Sequence, residues 1–138
     1  MKFLSKTLLL LVAVFSVSSC DLGSDSESTC LFYEGAAVVA VAGPETAAVN
    51  QEITFTVSYT SRKDCGTFQN FYEVADVNNV NSLTITVNTR VESCNCSSDT
   101  ITKTEPYKFK ALSAGTYILK FRKSNEPTDL ITKTIVVE

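Results

Sequence analysis

Five cysteines and no histidine set the limits of the side-chain chemistry open to this 138-residue chain. The thiols stand at Cys20, Cys30, Cys65, Cys94 and Cys96. Without an imidazole, the usual Ser-His, Cys-His and zinc-histidine arrangements are closed. What remains to the cysteines is disulfide formation, a four-thiolate metal site or a redox pair. "SCNCS" (residues 93–97) separates Cys94 from Cys96 by one residue, whereas zinc ligands are spaced by two or more. No basic residue adjoins that pair to lower a thiol pKa, so neither metal nor redox chemistry is expected. The carboxylates Glu73 and Asp76 in "FYEVADV" read as a solvated loop before they read as an acid/base pair. There is no glycine-rich phosphate loop. No catalytic residue and no cofactor is therefore expected. "FQNFYE" (residues 68–73), close after Cys65, holds Phe68, Phe71 and Tyr72. Exposed, these rings would form a ligand or partner patch; turned alternately inward, they would be core.

The chain has 12 basic and 15 acidic residues. No lysine or arginine cluster forms a stripe, which argues against nucleic acid as partner. The acidic excess reads as a solubility feature.

The elements that must position these groups begin after an oily N-terminus. Lys2 and Lys6 precede "TLLLLVAVFSV" (residues 7–17), an apolar run too short to span a bilayer and of the form of an export signal. "VSSC" (residues 17–20) follows. It resembles the lipobox of bacterial lipoproteins: an aliphatic residue, two small ones, then the cysteine. That resemblance implies removal of residues 1–19 and acylation at Cys20, with several acyl chains giving lasting membrane attachment at about 0.8 kcal/mol per buried methylene. Loss of Lys2 and Lys6 leaves ten basic residues against fifteen acidic ones, a balance of −5. "DLGSDSES" (residues 21–28) is acidic and rich in small residues, as a flexible tether would be, and the tether is placed at residues 20–35. Its acids, Asp21, Asp25 and Glu27, are similar to the surface-export signal of Bacteroidota lipoproteins, although spread out. Asp21 directly after the cysteine also resembles the inner-membrane retention signal of enteric bacteria. A lipid-anchored place in a bacterial envelope, at the outer membrane, is the expectation, with the face left open.

Residues 36–138 read as one all-β domain. "EITFTVSYT" (52–60), "SLTITVNTRV" (82–91), "GTYILKFRK" (115–123) and "LITKTIVVE" (130–138) alternate apolar with Thr, Ser, Asn, Lys or Arg. Weaker strands are expected at 36–42, 68–74 and 100–111, with Gly, Pro, Asn or Asp in the turns between. About seven strands, each with one apolar face, predict an antiparallel β-sandwich, and no segment supplies the crossover helix of an α/β fold.

"LSAGTYIL" (112–119) resembles the tyrosine corner of immunoglobulin-like domains, which implies that Tyr117 bonds its hydroxyl back to the preceding loop. Leu119 stands where those domains carry a cysteine, so their inter-sheet disulfide is not expected, and Phe55 or Val57 would pack opposite. The pattern is similar to small bacterial immunoglobulin-like modules of surface proteins. "DTI" (99–101) is similar to the short O-glycosylation motif of Bacteroidota, at Thr100.

With Cys20 lipidated, Cys30, Cys65, Cys94 and Cys96 remain to pair in an oxidising compartment. Cys94 and Cys96 point the same way in an extended strand, so a bond between them would strain the backbone. Each is expected to reach a different partner, Cys30 or Cys65, and each bridge would contribute about 3 kcal/mol. Two functions fit. One is a lipid-anchored, non-enzymatic module that binds an envelope protein, a glycan or a host molecule. The other is a structural or inhibitory subunit docked on a larger envelope complex through an edge strand.

Overall fold

The computed structural model describes residues 30–93 and 95–138. These build nine strands and no helix. In chain order they are β1 (Phe32–Ala36), β2 (Val38–Ala42), β3 (Thr46–Ala47), β4 (Glu52–Arg62) and β5 (Gly66–Asp76), then β6 (Asn79–Val91), β7 (Thr100–Lys110), β8 (Gly115–Arg122) and β9 (Leu130–Val137). The strongly alternating segments all become strands, because burying every second side chain leaves the Thr- and Lys-rich face in water. In β4 the inward set is Ile53, Phe55, Val57, Tyr59 and Ser61, every one of them buried.

Two sheets pack face to face as a sandwich. The narrow one runs β2-β4-β7. The wide one runs β1-β6-β8-β9-β3, with β5 on the outer side of β6. Phe121 of β8 lies between Phe55 and Tyr107 of the narrow sheet, with ring centroids 6.4 and 5.5 Å away. Leu119, Ile85, Val87 and Ile135 complete the inner layer of the wide sheet, all fully buried. A buried phenylalanine or leucine stabilises by about 1.5–3 kcal/mol each, so this layer is the main support of the fold. Phe55 packs on Phe121 across the core, and Val57 and Leu119 belong to the same buried cluster.

The sheet reaches further toward the N-terminus than the sequence suggests. β1 begins at Phe32, inside the stretch read as tether, and pairs with β6 from Phe32↔Val91 to Ala36↔Val87. The expected strand over residues 36–42 is in fact two elements in different sheets. The chain switches at Ala37, whose carbonyl accepts from the Thr60 amide at 2.9 Å.

β6 shares its inner edge between two strands. β8 pairs with Ser82 to Ile85, and β1 pairs with Val87 to Val91 beyond them. The β6–β8 pairing is parallel, as is the short β3–β9 pairing, while all the other pairs are antiparallel. The narrow sheet and the β8–β9 pair fit an immunoglobulin-like plan; the parallel β6–β8 neighbours depart from its antiparallel order.

At the start of β8 the Tyr117 hydroxyl donates to the Ser113 carbonyl at 3.0 Å, back across the loop as the tyrosine-corner resemblance implies. Its ring packs on Phe109, centroids 5.4 Å apart.

Candidate functional site

The strand directions give the sandwich two distinct ends. β6 runs from Asn79 at one end to Val91 at the other, thirteen residues and so about 40 Å. The Val91 end gathers the cysteines. Cys65, just before β5, bonds to Cys96, just after β6, with Cα atoms 5.9 Å apart. Cys30, just ahead of β1, is disulfide-bonded too. One expected pairing class is therefore present: Cys96 reaches Cys65. Cys20 and Cys94, with the signal at residues 1–19 and the tether up to residue 29, lie outside the described residues. The bridged end is the one from which the chain leads back toward Cys20.

The three aromatics of residues 68–73 are separated by a bulge. Strict alternation would set Phe68 and Phe71 on opposite faces, but the register of β5 against β6 slips between Phe68 and Asn70. Both rings consequently turn inward. Phe68 sits 6.2 Å from Tyr59 and 5.0 Å from Phe71, and Phe71 lies edge-on to Tyr107 at 5.1 Å. Of the three rings, Phe68 and Phe71 are core-packed, and Tyr72 stands 57% exposed, with Val74 beyond it on the same outer face.

Glu73 and Asp76 also go separate ways. Asp76 accepts from the Asn78 amide at 3.0 Å and pairs with Lys120 at 3.4 Å. That amide first, and the Lys120 ammonium with it, holds the Asp76 carboxyl below the usual range. Glu73 takes up the Tyr107 hydroxyl instead; burial and the Glu73 carboxylate together push Tyr107 well above an ordinary tyrosine. An acid/base pair is not assembled.

The end opposite the bridges carries the most exposed large apolar side chains: Val77 at 94%, Val80 at 82% and Leu112 at 76%. Val77 lies in the tight β5–β6 turn and Val80 just past it at the start of β6, and Leu112 lies in the β7–β8 loop. The sequence reading treats these stretches as turns; two valines inside an Asn-rich turn are the signal that could have drawn attention to them. Exposed apolar groups gathered in this way mark contact surfaces.

The concavities are small. One of about 250 Å³ opens beside the sheet switch, lined by Gly35, Ala37, Thr86, Arg122, Lys123 and Asn125. Another of about 350 Å³ lies on the other side of the same segment, reaching Glu34, Arg62 and Thr100. Thr100 is exposed at the start of β7. Among the described residues no three His, Cys, Asp or Glu side chains gather as metal ligands would.

Comparison with protein-family models, with curated proteins and with solved structures finds no match to this chain.

Proposed function

We propose that the chain is a lipid-anchored protein of a bacterial envelope, held at the outer membrane through Cys20, and that its sandwich is a non-enzymatic binding module. The observation that carries this reading is the polarity of the domain. The bridged end leads to the proposed anchor, and Val77, Val80 and Leu112 stand exposed about 40 Å away at the other end. A tethered domain with its sticky tip turned from the bilayer is placed to meet an envelope protein or a glycan. The "VSSC" motif supports the anchor, and the acidic residues 21–28 support the spacer.

Membrane fractionation of Cys20→Ala tests the anchor: release into the soluble fraction is expected, and undiminished attachment would overturn it. Photo-cross-linking in cells from position 77 tests the tip, where a cross-linked partner is expected. A second reading, an accessory subunit of a larger envelope complex, is favoured by the open edge of β5. A partner of constant stoichiometry at that edge would support it.

A further inference from the structure

We propose that the outer edge of β5, over Asn70–Asp76, takes up an extended, lysine- or arginine-bearing segment of another protein as an added strand. The inference rests on reading the chain as a binding protein and says where and what it binds.

β5 is eleven residues long and pairs only with β6, so its other edge presents unused backbone donors and acceptors along most of its length. Free edges invite pairing, and the other edges among the described residues are short or guarded; β9, which β3 leaves uncovered over residues 130–135, carries the inward Lys133 there. β3 has two residues, β1 has five, and β2 has five with a register slip between Val38 and Ala40. β7 is long, but it carries Pro106, which has no amide to give, together with Lys103, Lys108 and Lys110. Its Lys103 and Glu105 also face the sandwich interior, since they pair with Tyr59 and Val57. Inward charges, lysines and proline are the usual devices against edge pairing. β5 has no lysine, no arginine and no proline in "GTFQNFYEVAD", and its single inward charge is Glu73, which stands opposite Ile85 and takes up the Tyr107 hydroxyl.

The bulge at Gln69 and the Lys103 ammonium, which bonds the Gly66 carbonyl, close off the first part of the edge. From Asn70 onward the strand is regular to Ala75. On its outer face Tyr72 and Val74 stand exposed, continuous with Val77 at the tip, ready to meet apolar side chains of an added strand. On the other face Glu73 has no cation partner among the described residues, because the five ion pairs all use other acids. A basic residue opposite Glu73 would complete that row. A second copy of the chain fits poorly, since β5 against β5 would bring acids together without a cation.

Hydrogen exchange on the detergent-solubilised full-length protein tests this with two synthetic extended peptides, one alternating valine with lysine and one alternating valine with glutamate. The lysine peptide is expected to slow exchange across residues 70–76, and the glutamate peptide is not. Glu73→Gln, which keeps an acceptor for Tyr107, should weaken the lysine peptide about fivefold, the scale of one exposed charge pair. Glu73→Lys should reverse the preference between the peptides. Equal protection by both peptides, protection elsewhere, or none would overturn the assignment. So would a dimer in sedimentation that already protects residues 70–76. The proposed function fails separately: it would survive a silent β5 edge if position 77 still cross-links a partner.

Discussion

Arg62 holds Glu34 in a two-point ion pair, Nε to Oε1 at 3.0 Å and Nη2 to Oε2 at 3.2 Å. The pair ties β1 of the wide sheet to β4 of the narrow one, at the bridged end of the sandwich. The guanidinium also lies 5.6 Å over the Phe32 ring, and the Glu34 carboxylate raises its pKa through the hydrogen bond first and charge second. Both side chains are about one-third exposed, 35% and 32%, so water and salt screen the attraction. Arg62→Gln is expected to lower Tm by a few degrees at low salt and by less at high salt. Faster amide exchange confined to β1 would accompany it. A Tm loss that salt leaves unchanged would mean that packing on Phe32, not charge, holds β1 in place.

The Cys65–Cys96 bridge spans 31 residues. Closing a loop of that length in the unfolded chain stabilises the fold by about 3–4 kcal/mol in the chain-entropy account. Changing both cysteines to serine should reduce unfolding free energy by that order in denaturant titration. Peptide mapping without reductant should recover Cys65 with Cys96 and Cys30 with Cys94. A Cys94–Cys96 peptide would contradict the arrangement.

Gly43 is fixed by close approach. A Cβ there would run into the face of the Phe55 ring, which is fully buried and wedged against Tyr107 and Phe121. The ring has no room to turn aside. Gly43→Ala should therefore cost about 1–3 kcal/mol, as overpacking does, read as a lower denaturation midpoint at an unchanged slope. A neutral result would show that the loop at residues 43–45 can lift away.

The alkaline limb of the stability curve should be set by the buried tyrosines. Tyr107 is raised above its ordinary 10.0 by burial and by Glu73, and Tyr59 is raised by burial and by Glu105. A raised folded pKa means that the folded state keeps a proton that the unfolded state has lost. The stability these groups contribute is thus whole below pH 10.0 and declines as pH rises beyond it. Thermal unfolding followed from pH 8 to above pH 10 should show a flat region and then a fall, and Tyr107→Phe should flatten the fall. Identical alkaline curves for the two proteins would remove Tyr107 from the account.

Much of the fold was legible because strand formation is local. Alternation in β4, β6, β8 and β9 decides which side chains face inward, and the turn residues mark where each strand stops. The tyrosine at position 117 also found its loop partner within four residues. The site was less legible. Phe68, Phe71 and Tyr72 have the same chemistry in sequence, and nothing in "FQNFYE" announces that an extra residue at Gln69 will bring the first two rings to one face.

The amino-acid sequence by itself thus determined the β-class and the inward sets of β4, β6, β8 and β9, since each depends on near neighbours. Only the tertiary structure decided which strands lie side by side. The parallel β6–β8 contact and the pairing of β1 with β6 and of β2 with β4 on either side of Ala37 join residues far apart in the chain, and they leave the outer edge of β5 open. Such pairings depend on how two whole sheets bury their faces against each other, and no local run of residues carries that information.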